Sequence, residues 1–278
     1  MFIGYNLQLT ESHFSGIGKT FQYYLSRGKE MLNEDKRIFE AQLKKFDVNC
    51  RLDGSGIIEE WFPKIEADIF LSHSHRDEDL AIALSAFLKE NYGLKVFIDS
   101  CFWGYSNDLL KAIDNEYCRN LDLNSYCYEK RNNSTSHVHM MLSTALQTMI
   151  DKTECLIFLN TDNSISSTSD IVNSKTLSPW IFMEIETSRM IRLSVRREIN
   201  YTETKSLYEG ATFSEDKLEL LIEYNANLDH LINLNPETLF HFDHPSKYTG
   251  LDLLYNKTLS GTDISIRLSR TILIKGER

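Results

Sequence analysis

The sequence predicts an α/β fold with a parallel sheet, helices on both faces and a helical N-terminal extension. Three short apolar strands, at about residues 67–72, 94–98 and 155–159, each end in a polar loop. An amphipathic helix, Glu78 to Asn91, separates the first two strands, and Gly93 ends it. Strand, helix and strand at this spacing form a βαβ unit, and such units build parallel sheets. We expect strand 67–72 to be central.

Residues 1–65 are interpreted as the helical extension. Apolar residues recur at helical spacing among many charges from Phe14 to Phe46. Gly16 to Thr20 echoes a phosphate-binding loop, but His13 occupies the position of the required first glycine. No strand is expected before this loop, so we interpret the match as coincidental.

The segments after the second strand are expected to alternate between loops and helices. A loop over 99–107 leads into a short helix from Asp108, and a polar, irregular segment follows over 117–136. The next helix is expected over His137–Ile150, capped by Ser134 or Ser136.

The third strand is followed by a long polar loop, 160–177, whose length is typical of a binding loop or lid. Ser178 and Pro179 suit the N-cap and first position of a helix that runs to about Leu193. The remaining expected elements are a strand within 218–224, a short helix over 236–242 and a β segment over 264–274.

Composition limits the classes of function. The chain has 278 residues, of which 42% are hydrophobic and 25% charged, so it can bury a sizeable core. Its formal net charge of −10 argues against binding to the nucleic-acid backbone. No run approaches the ~20 apolar residues of a membrane span, and the first residues lack a secretion-signal pattern. We therefore expect a cytoplasmic protein with no membrane and no nucleic-acid partner.

No metal site is expected from the sequence. The five cysteines are scattered, and the spacing of Cys118 and Cys127 from the nearby histidines matches no common zinc pattern. We interpret the cysteines as reduced and structural. His73 and His75 could form a metal pair, but loop histidines two apart are more often solvated or hydrogen-bonded.

A ligand site is expected beyond the carboxyl ends of the strands. Glu184 is the strongest catalytic candidate, because it lies among large apolar neighbours and shares a helix face with Trp180. A carboxylate there could stabilise an oxocarbenium-like ribose. From spacing alone, a surface glutamate on an amphipathic helix is the simpler interpretation. Asp99 is expected to shape its own loop by capping backbone groups rather than to act in catalysis.

Three motifs, in order, resemble those of the Toll/interleukin-1 receptor (TIR) domain family. The first is Ala67–Ser74, similar to the opening strand and loop of TIR domains. The second is Val96–Asp99 with the aromatic loop Phe102–Tyr105, similar to their second strand and BB loop. The third is Ser178–Glu184, which resembles the Ser-x-Trp-x-x-x-Glu box. The resemblance spans about residues 66–193 and implies a flavodoxin-like TIR domain. We place that domain at 66–235, followed by a C-terminal extension of uncertain structure at 236–278.

The resemblance also implies an activity. In enzymatic members the glutamate of the box cleaves NAD at the nicotinamide–ribose bond, so Glu184 would be catalytic, with NAD as substrate and no bound cofactor. Six further residues would bind the substrate: Ser72, His73, Phe102, Trp103, Tyr105 and Trp180. The aromatic residues of the BB loop could instead belong to the core or form an anchor between protomers.

Among family members the chain looks most like bacterial anti-phage TIR proteins of the Thoeris type. That likeness implies self-association through TIR domains on activation, and an ADP-ribose-derived signal read by a separate effector protein. Two alternatives stay open: a non-enzymatic TIR adaptor that acts through TIR–TIR association, and an enzyme like nucleoside deoxyribosyltransferases. The glutamate within the tryptophan box favours the NAD-cleaving enzyme over the adaptor. Deoxyribosyltransferases also use a glutamate, so it is the tryptophan box together with the aromatic BB loop that favours a TIR enzyme over that alternative.

Overall fold

Five parallel strands form the main sheet. In the computed structural model the strands along the chain are β1 (Ile3–Leu7), β2 (Ile69–Ser72), β3 (Val96–Phe97), β4 (Cys155–Leu159), β5 (Lys175–Thr176), β6 (Tyr224–Asn225) and β7 (Ile232–Leu234). The main sheet has the order β3-β2-β4-β1-β7, while β5 and β6 pair antiparallel as a separate ribbon. The structure describes residues 3–15, 18–40, 52–103, 106–120, 125–166, 174–194, 222–240 and 249–258.

The sheet confirms a parallel α/β architecture that is consistent with a flavodoxin-like fold. Strand β2 runs parallel to both of its neighbours, β3 and β4. It is an interior strand, as expected, but the middle position belongs to β4. β4 is the more central because two strands lie on each side of it, β3 and β2 on one side and β1 and β7 on the other.

Strand β1 corrects the interpretation of residues 1–65 as a helical extension. Ile3–Leu7 pairs with β4 along its whole length and with β7 over its second half. Its side chains Ile3, Tyr5 and Leu7 are fully buried. The segment is therefore part of the sheet interior, because its neighbours supply hydrogen bonds on both sides. In the flavodoxin-like strand order, 2-1-3-4-5, the strand in the fourth position of the sheet is also the fourth in sequence. Here the fourth position, next to β4, is occupied by β1, which precedes the other strands in sequence.

Nine helices are described along these ranges. They are α1 (Phe21–Glu40), α2 (Gly54–Trp61), α3 (Glu78–Tyr92), α4 (Asp99–Phe102), α5 (Ser106–Tyr117), α6 (Tyr128–Lys152), α7 (Pro179–Ser194), α8 (Pro236–Phe240) and α9 (Gly250–Thr258). Short 3₁₀ segments lie at Glu11–Phe14 and His75–Asp77. Gly93 ends α3 with a φ of 72°, a left-handed conformation in which glycine carries no Cβ penalty.

Helix α6 begins much earlier than its sequence predicts. It was expected from His137, with a cap at Ser134 or Ser136, but it starts at Tyr128 and both serines lie inside it. The reason is tertiary: the Ser134 hydroxyl donates a 2.5 Å hydrogen bond to the buried carboxylate of Asp114, which also pairs with Arg131. The expected loop over 99–107 is likewise interrupted by α4.

Burial shows that both faces of the sheet are covered. Alternate residues of a strand point to opposite faces, and every residue of β2 and of β4 is buried. Helices α1, α3, α8 and α9 pack in one group, and α2, α5, α6 and α7 in another. A single hydrophobic cluster joins β1 through α9.

Several sequence predictions fall on residues that the structure does not describe. These are Tyr105, the middle of the long loop (167–173), most of the strand expected over 218–224, and the β segment expected over 264–274. The expected short helix from Pro236 is confirmed as α8.

Candidate functional site

The candidate site lies where the chain leaves neighbouring strands in opposite directions. β2 leads through α3 to β3 at one edge of the sheet, whereas β4 leads towards β7 at the other edge. Such a switch point leaves a crevice beyond the carboxyl ends of the strands, where ligands bind in open α/β sheets. Ser72 ends β2 and lies opposite Phe158 of β4, so its side chain is at this crevice.

Helix α7 brings Glu184 to the same place. The helix begins as its sequence predicts, because the Ser178 hydroxyl accepts a hydrogen bond from the backbone N–H of Ile181 and Pro179 occupies the first position. Glu184 lies one and a half turns into the helix and is 2% exposed. The interpretation of Glu184 as a solvated surface residue is therefore wrong.

Ser72 and Glu184 are in direct contact. The Ser72 hydroxyl donates a hydrogen bond of 2.5 Å to Oε2 of Glu184, and Ser72 is itself 1% exposed. This bond ties the carboxyl end of β2 to α7 across 112 residues of sequence. The structure thus brings together two of the residues that the sequence selects.

A second carboxyl group, that of Asp99, lies beside this pair. It is the first residue of α4, two positions after the end of β3, and its Oδ1 is 3.7 Å from Nδ1 of His73. The other ring nitrogen of His73, Nε2, is 3.2 Å from the hydroxyl of Ser100. Two adjacent residues, Ser72 at the end of β2 and His73 just after it, therefore contact Glu184 and Asp99 respectively. Sequence reasoning assigned Asp99 only to loop shape; its position directly after a strand was the signal for the site.

Both carboxyl groups are harder to ionise than usual. Burial raises the pKa of Glu184 well above its ordinary value, the negative charge of Asp99 raises it further, and the Ser72 hydrogen bond opposes the change. Burial also raises the pKa of Asp99, against the opposing effect of His73. Two interacting carboxyl groups of this kind favour a state in which they hold one proton between them.

Trp180 lies one helical turn before Glu184, on the same side of α7. Its ring is half-buried against the core and meets the exposed ring of His139 edge-on, with centroids 5.5 Å apart. Trp180 is therefore partly open to solvent and one helical turn from the buried carboxyl group of Glu184. A flat apolar ring in this position could cover a planar ligand.

Phe102 and Trp103 are core residues rather than exposed loop aromatics. Trp103 is 2% exposed, and its ring meets Phe97 edge-on at 4.8 Å and Phe62 at 5.7 Å. Phe102 is stacked on Phe97, with ring centroids 5.6 Å apart. Neither ring has the exposed surface that a substrate contact or an anchor between protomers needs, so their burial favours the core role that the sequence left open. Tyr105 lies outside the described residues.

Asp77 connects two of the loops at the crevice. Its carboxylate accepts hydrogen bonds from Thr161 Oγ1 at 2.5 Å and from Asn163 Nδ2 at 2.7 Å. Thr161 and Asn163 follow β4, whereas Asp77 follows β2. These bonds fix the start of the long loop relative to the Ser72–His73 segment, which sequence reasoning did not identify.

A further polar contact is made by Ser188 of α7 with His230. The Ser188 hydroxyl lies 2.7 Å from Nε2 of His230 and donates to the carbonyl of Ile185. Ser188 is fully buried one turn after Glu184. The contact joins α7 to the segment before β7, and no sequence motif indicates it.

The other candidate motifs remain apart from this site. A strand does precede the Gly16–Thr20 segment, contrary to expectation, but Lys19 is bound to Glu90 and Tyr23, each at 2.8 Å. An open depression of about 740 Å³ near this lysine includes none of the residues around Glu184. Over the described ranges, no group of three or more histidine, cysteine or acidic side chains could hold a metal ion.

Comparisons of the chain with protein-family models, with curated proteins and with solved structures gave no match. None of the helices in the described part of the chain combines the length and apolar character needed to cross a membrane.

Proposed function

We propose that the chain is a TIR-like enzyme that cleaves NAD at the nicotinamide–ribose bond. The observation that carries the proposal is the buried Glu184 carboxyl group at the crevice, bonded to Ser72 and next to Asp99. NAD is the substrate, and no separate cofactor is required.

Cleavage of the nicotinamide–ribose bond is favoured by a negative charge in a site from which water is excluded. As the C–N bond breaks, positive charge develops on the ribose, and a carboxylate in a low-dielectric site stabilises it more strongly than one in water. The nicotinamide ring of NAD is itself cationic, so its arrival favours ionisation of Glu184 and opposes the raised pKa of that group. Glu184 is thus ionised when NAD is bound, and its charge then stabilises the positive charge that develops on the ribose.

The neighbouring side chains have supporting roles in this proposal. Ser72 orients the Glu184 carboxylate, His73 lies beside the second acid, and Trp180 covers the ligand at the surface end of the crevice. Phe102 and Trp103 stabilise the loop after β3 from within the core.

The wider biological role follows from the sequence resemblance and is part of the same proposal. The chain would act in bacterial anti-phage defence, associate through its TIR domains on activation, and make an ADP-ribose-derived messenger for a separate effector protein. Since Trp103 is buried, another surface must carry that association.

The decisive experiment replaces Glu184 with Gln and follows nicotinamide release from NAD. The variant keeps size and hydrogen bonding but loses the charge, so turnover should fall by about 10²–10³-fold with folding unchanged. Glu186→Gln is the matched control, because that carboxylate is bonded to Arg189 on the same helix and lies outside the pair.

The assay is run on purified protein and in phage-infected bacteria that express the chain, because resting enzymes of this type are often inactive. Wild-type turnover by Glu184→Gln would refute the assignment. If the wild-type chain releases no nicotinamide in either setting but associates with TIR domains, the adaptor alternative holds. Release of bases from deoxynucleosides instead of NAD would favour the deoxyribosyltransferase alternative.

A further inference from the structure

The reaction needs a second group besides the one that stabilises the ribosyl cation. Nicotinamide leaves NAD as a neutral molecule and takes no proton with it. The acceptor is different: when the oxygen of water or of a hydroxyl group bonds to the ribose C1′, it must lose a proton. A base at the crevice would take this proton as the new bond forms and so accelerate the step.

Glu184 is poorly placed to be that base. It is 2% exposed and its Oε2 is already bonded to the Ser72 hydroxyl, so it has little access to water with which to exchange a proton. Asp99 differs in this respect, because its side chain is 28% exposed. Of the two carboxyl groups, that of Glu184 is buried and that of Asp99 is partly exposed to solvent.

The surroundings of Asp99 also suit proton transfer. His73 Nδ1 lies 3.7 Å from its Oδ1, and the far nitrogen of the same ring lies 3.2 Å from Ser100. His73 is 1% exposed at its side chain, so the ring is held in place rather than free to turn. Asp99 is thereby fixed at the end of β3, next to the end of β2.

We infer that Asp99 is the catalytic base that takes the proton from the acceptor, while Glu184 stabilises the ribosyl cation; this inference rests on the proposed function. The C1′–N bond breaks and its electron pair goes to nicotinamide. The acceptor oxygen bonds to C1′, and its proton passes to the Asp99 carboxylate and then to solvent. With water the product is ADP-ribose, and with a hydroxyl of the same nucleotide it is a cyclic form.

Base exchange separates the two carboxyl groups experimentally. When labelled nicotinamide replaces water as the acceptor, its ring nitrogen carries no proton, so exchange into NAD needs Glu184 but not Asp99. In Asp99→Asn, formation of ADP-ribose or its cyclic form should fall by ~10²-fold or more while exchange of label stays near the wild-type rate. Glu184→Gln should lose both reactions. Glu60→Gln, which changes an exposed carboxyl group on α2, is the control and should keep both.

The outcomes distinguish this inference from the proposed function. A wild-type chain with neither reaction overturns both. An active wild-type chain with an Asp99→Asn variant that loses both reactions, or neither, overturns the inference alone.

If Asp99→Asn fails to fold, the pH dependence of the two reactions in the wild-type chain tests the inference instead. The charged and titratable groups facing Asp99 are Glu184, His73 and His75. The ratio of hydrolysis to exchange should rise with pH as Asp99 ionises, because only hydrolysis uses it as a base. A ratio that does not change with pH overturns the inference.

Discussion

Glu184 is in an environment that opposes its own ionisation. Its carboxyl group accepts a hydrogen bond from the neutral hydroxyl of Ser72 and is nearly inaccessible to water. The negative charge of a second acid, Asp99, also disfavours its ionised form. An ionised carboxylate buried without a cationic partner is destabilising. The folded protein therefore carries a cost at this residue that a cationic ligand would relieve.

The contribution of Glu184 to stability should consequently fall as pH rises. Burial and the charge of Asp99 raise the pKa of Glu184 above its ordinary value of 4.5, so the folded chain keeps a proton that the unfolded chain has already released. The free energy of unfolding is highest below the unfolded pKa and decreases until the pH passes the folded pKa, by about 1.4 kcal/mol for each pH unit of that interval. Glu184→Gln should remove much of this slope and be the more stable protein at high pH.

Urea unfolding at a series of pH values measures this effect. The comparison of wild type with Glu184→Gln isolates the residue from the other titrating groups. Glu186→Gln should keep the wild-type slope. Identical slopes in wild type and Glu184→Gln would mean that Glu184 is already ionised in the folded protein.

At the level of elements, local signals were enough for some and not for others. β2, α3, β4 and the start of α7 were predicted from apolar runs, helical spacing and a Ser-Pro cap, all of which lie within a few residues. The first turns of α6 were missed because Asn132 to Ser136 have weak helix propensity, and what stabilises them is Asp114 on another helix. The pairing of Glu184 with Asp99 was missed for the same reason, since no local pattern links residues 85 positions apart.

The loop after β3 depends on Trp103 for stability rather than for assembly. Its ring packs against Phe97 and Phe62, so Trp103→Ala should leave a cavity and lower the free energy of unfolding by about 3–5 kcal/mol. Trp103→Phe should cost less, because it keeps most of the packing and removes an indole N–H that has no hydrogen-bond partner among the described residues.

Denaturant unfolding of both variants checks this prediction. Tyr128→Ala is the control, because that side chain is 78% exposed and its loss should change stability by no more than about 0.5 kcal/mol. A Trp103→Ala protein that unfolds like the wild type but no longer self-associates would restore the anchor role.

At the scale of the whole molecule, the main sheet is held together by β1, the first strand in sequence. β1 separates β4 from β7 and supplies both with hydrogen bonds. The approach at its start is close: a Cβ on Gly4 would lie 2.5 Å from the side chain of Leu231, ahead of β7. A larger residue at this position would therefore have to displace the Leu231 side chain.

Deletion of residues 1–9 should therefore abolish cooperative folding. The deletion would leave β4 and β7 without their shared neighbour and expose the apolar surface that Ile3, Tyr5 and Leu7 cover. Gly4→Val is a milder test and should destabilise by roughly 1–3 kcal/mol, whereas Gln8→Val, at an exposed position of the same segment, should not. Thermal unfolding followed by circular dichroism measures all three. A truncated protein with a sharp wild-type transition would show that the sheet is stable without β1.

The position of β1 also governs when the chain can fold during synthesis. Ile3 pairs with Cys155, about 150 residues later, and Tyr5 pairs with Ile232. β1 is synthesised before both of its partners, and about 150 further residues separate it from β4 and more than 220 from β7. Closing such long loops is slow, since the entropy of closure must be overcome before the contact forms. Until then β1 is an apolar strand with two unpaired edges, which is the kind of segment that chaperones bind and that aggregates when synthesis outpaces folding.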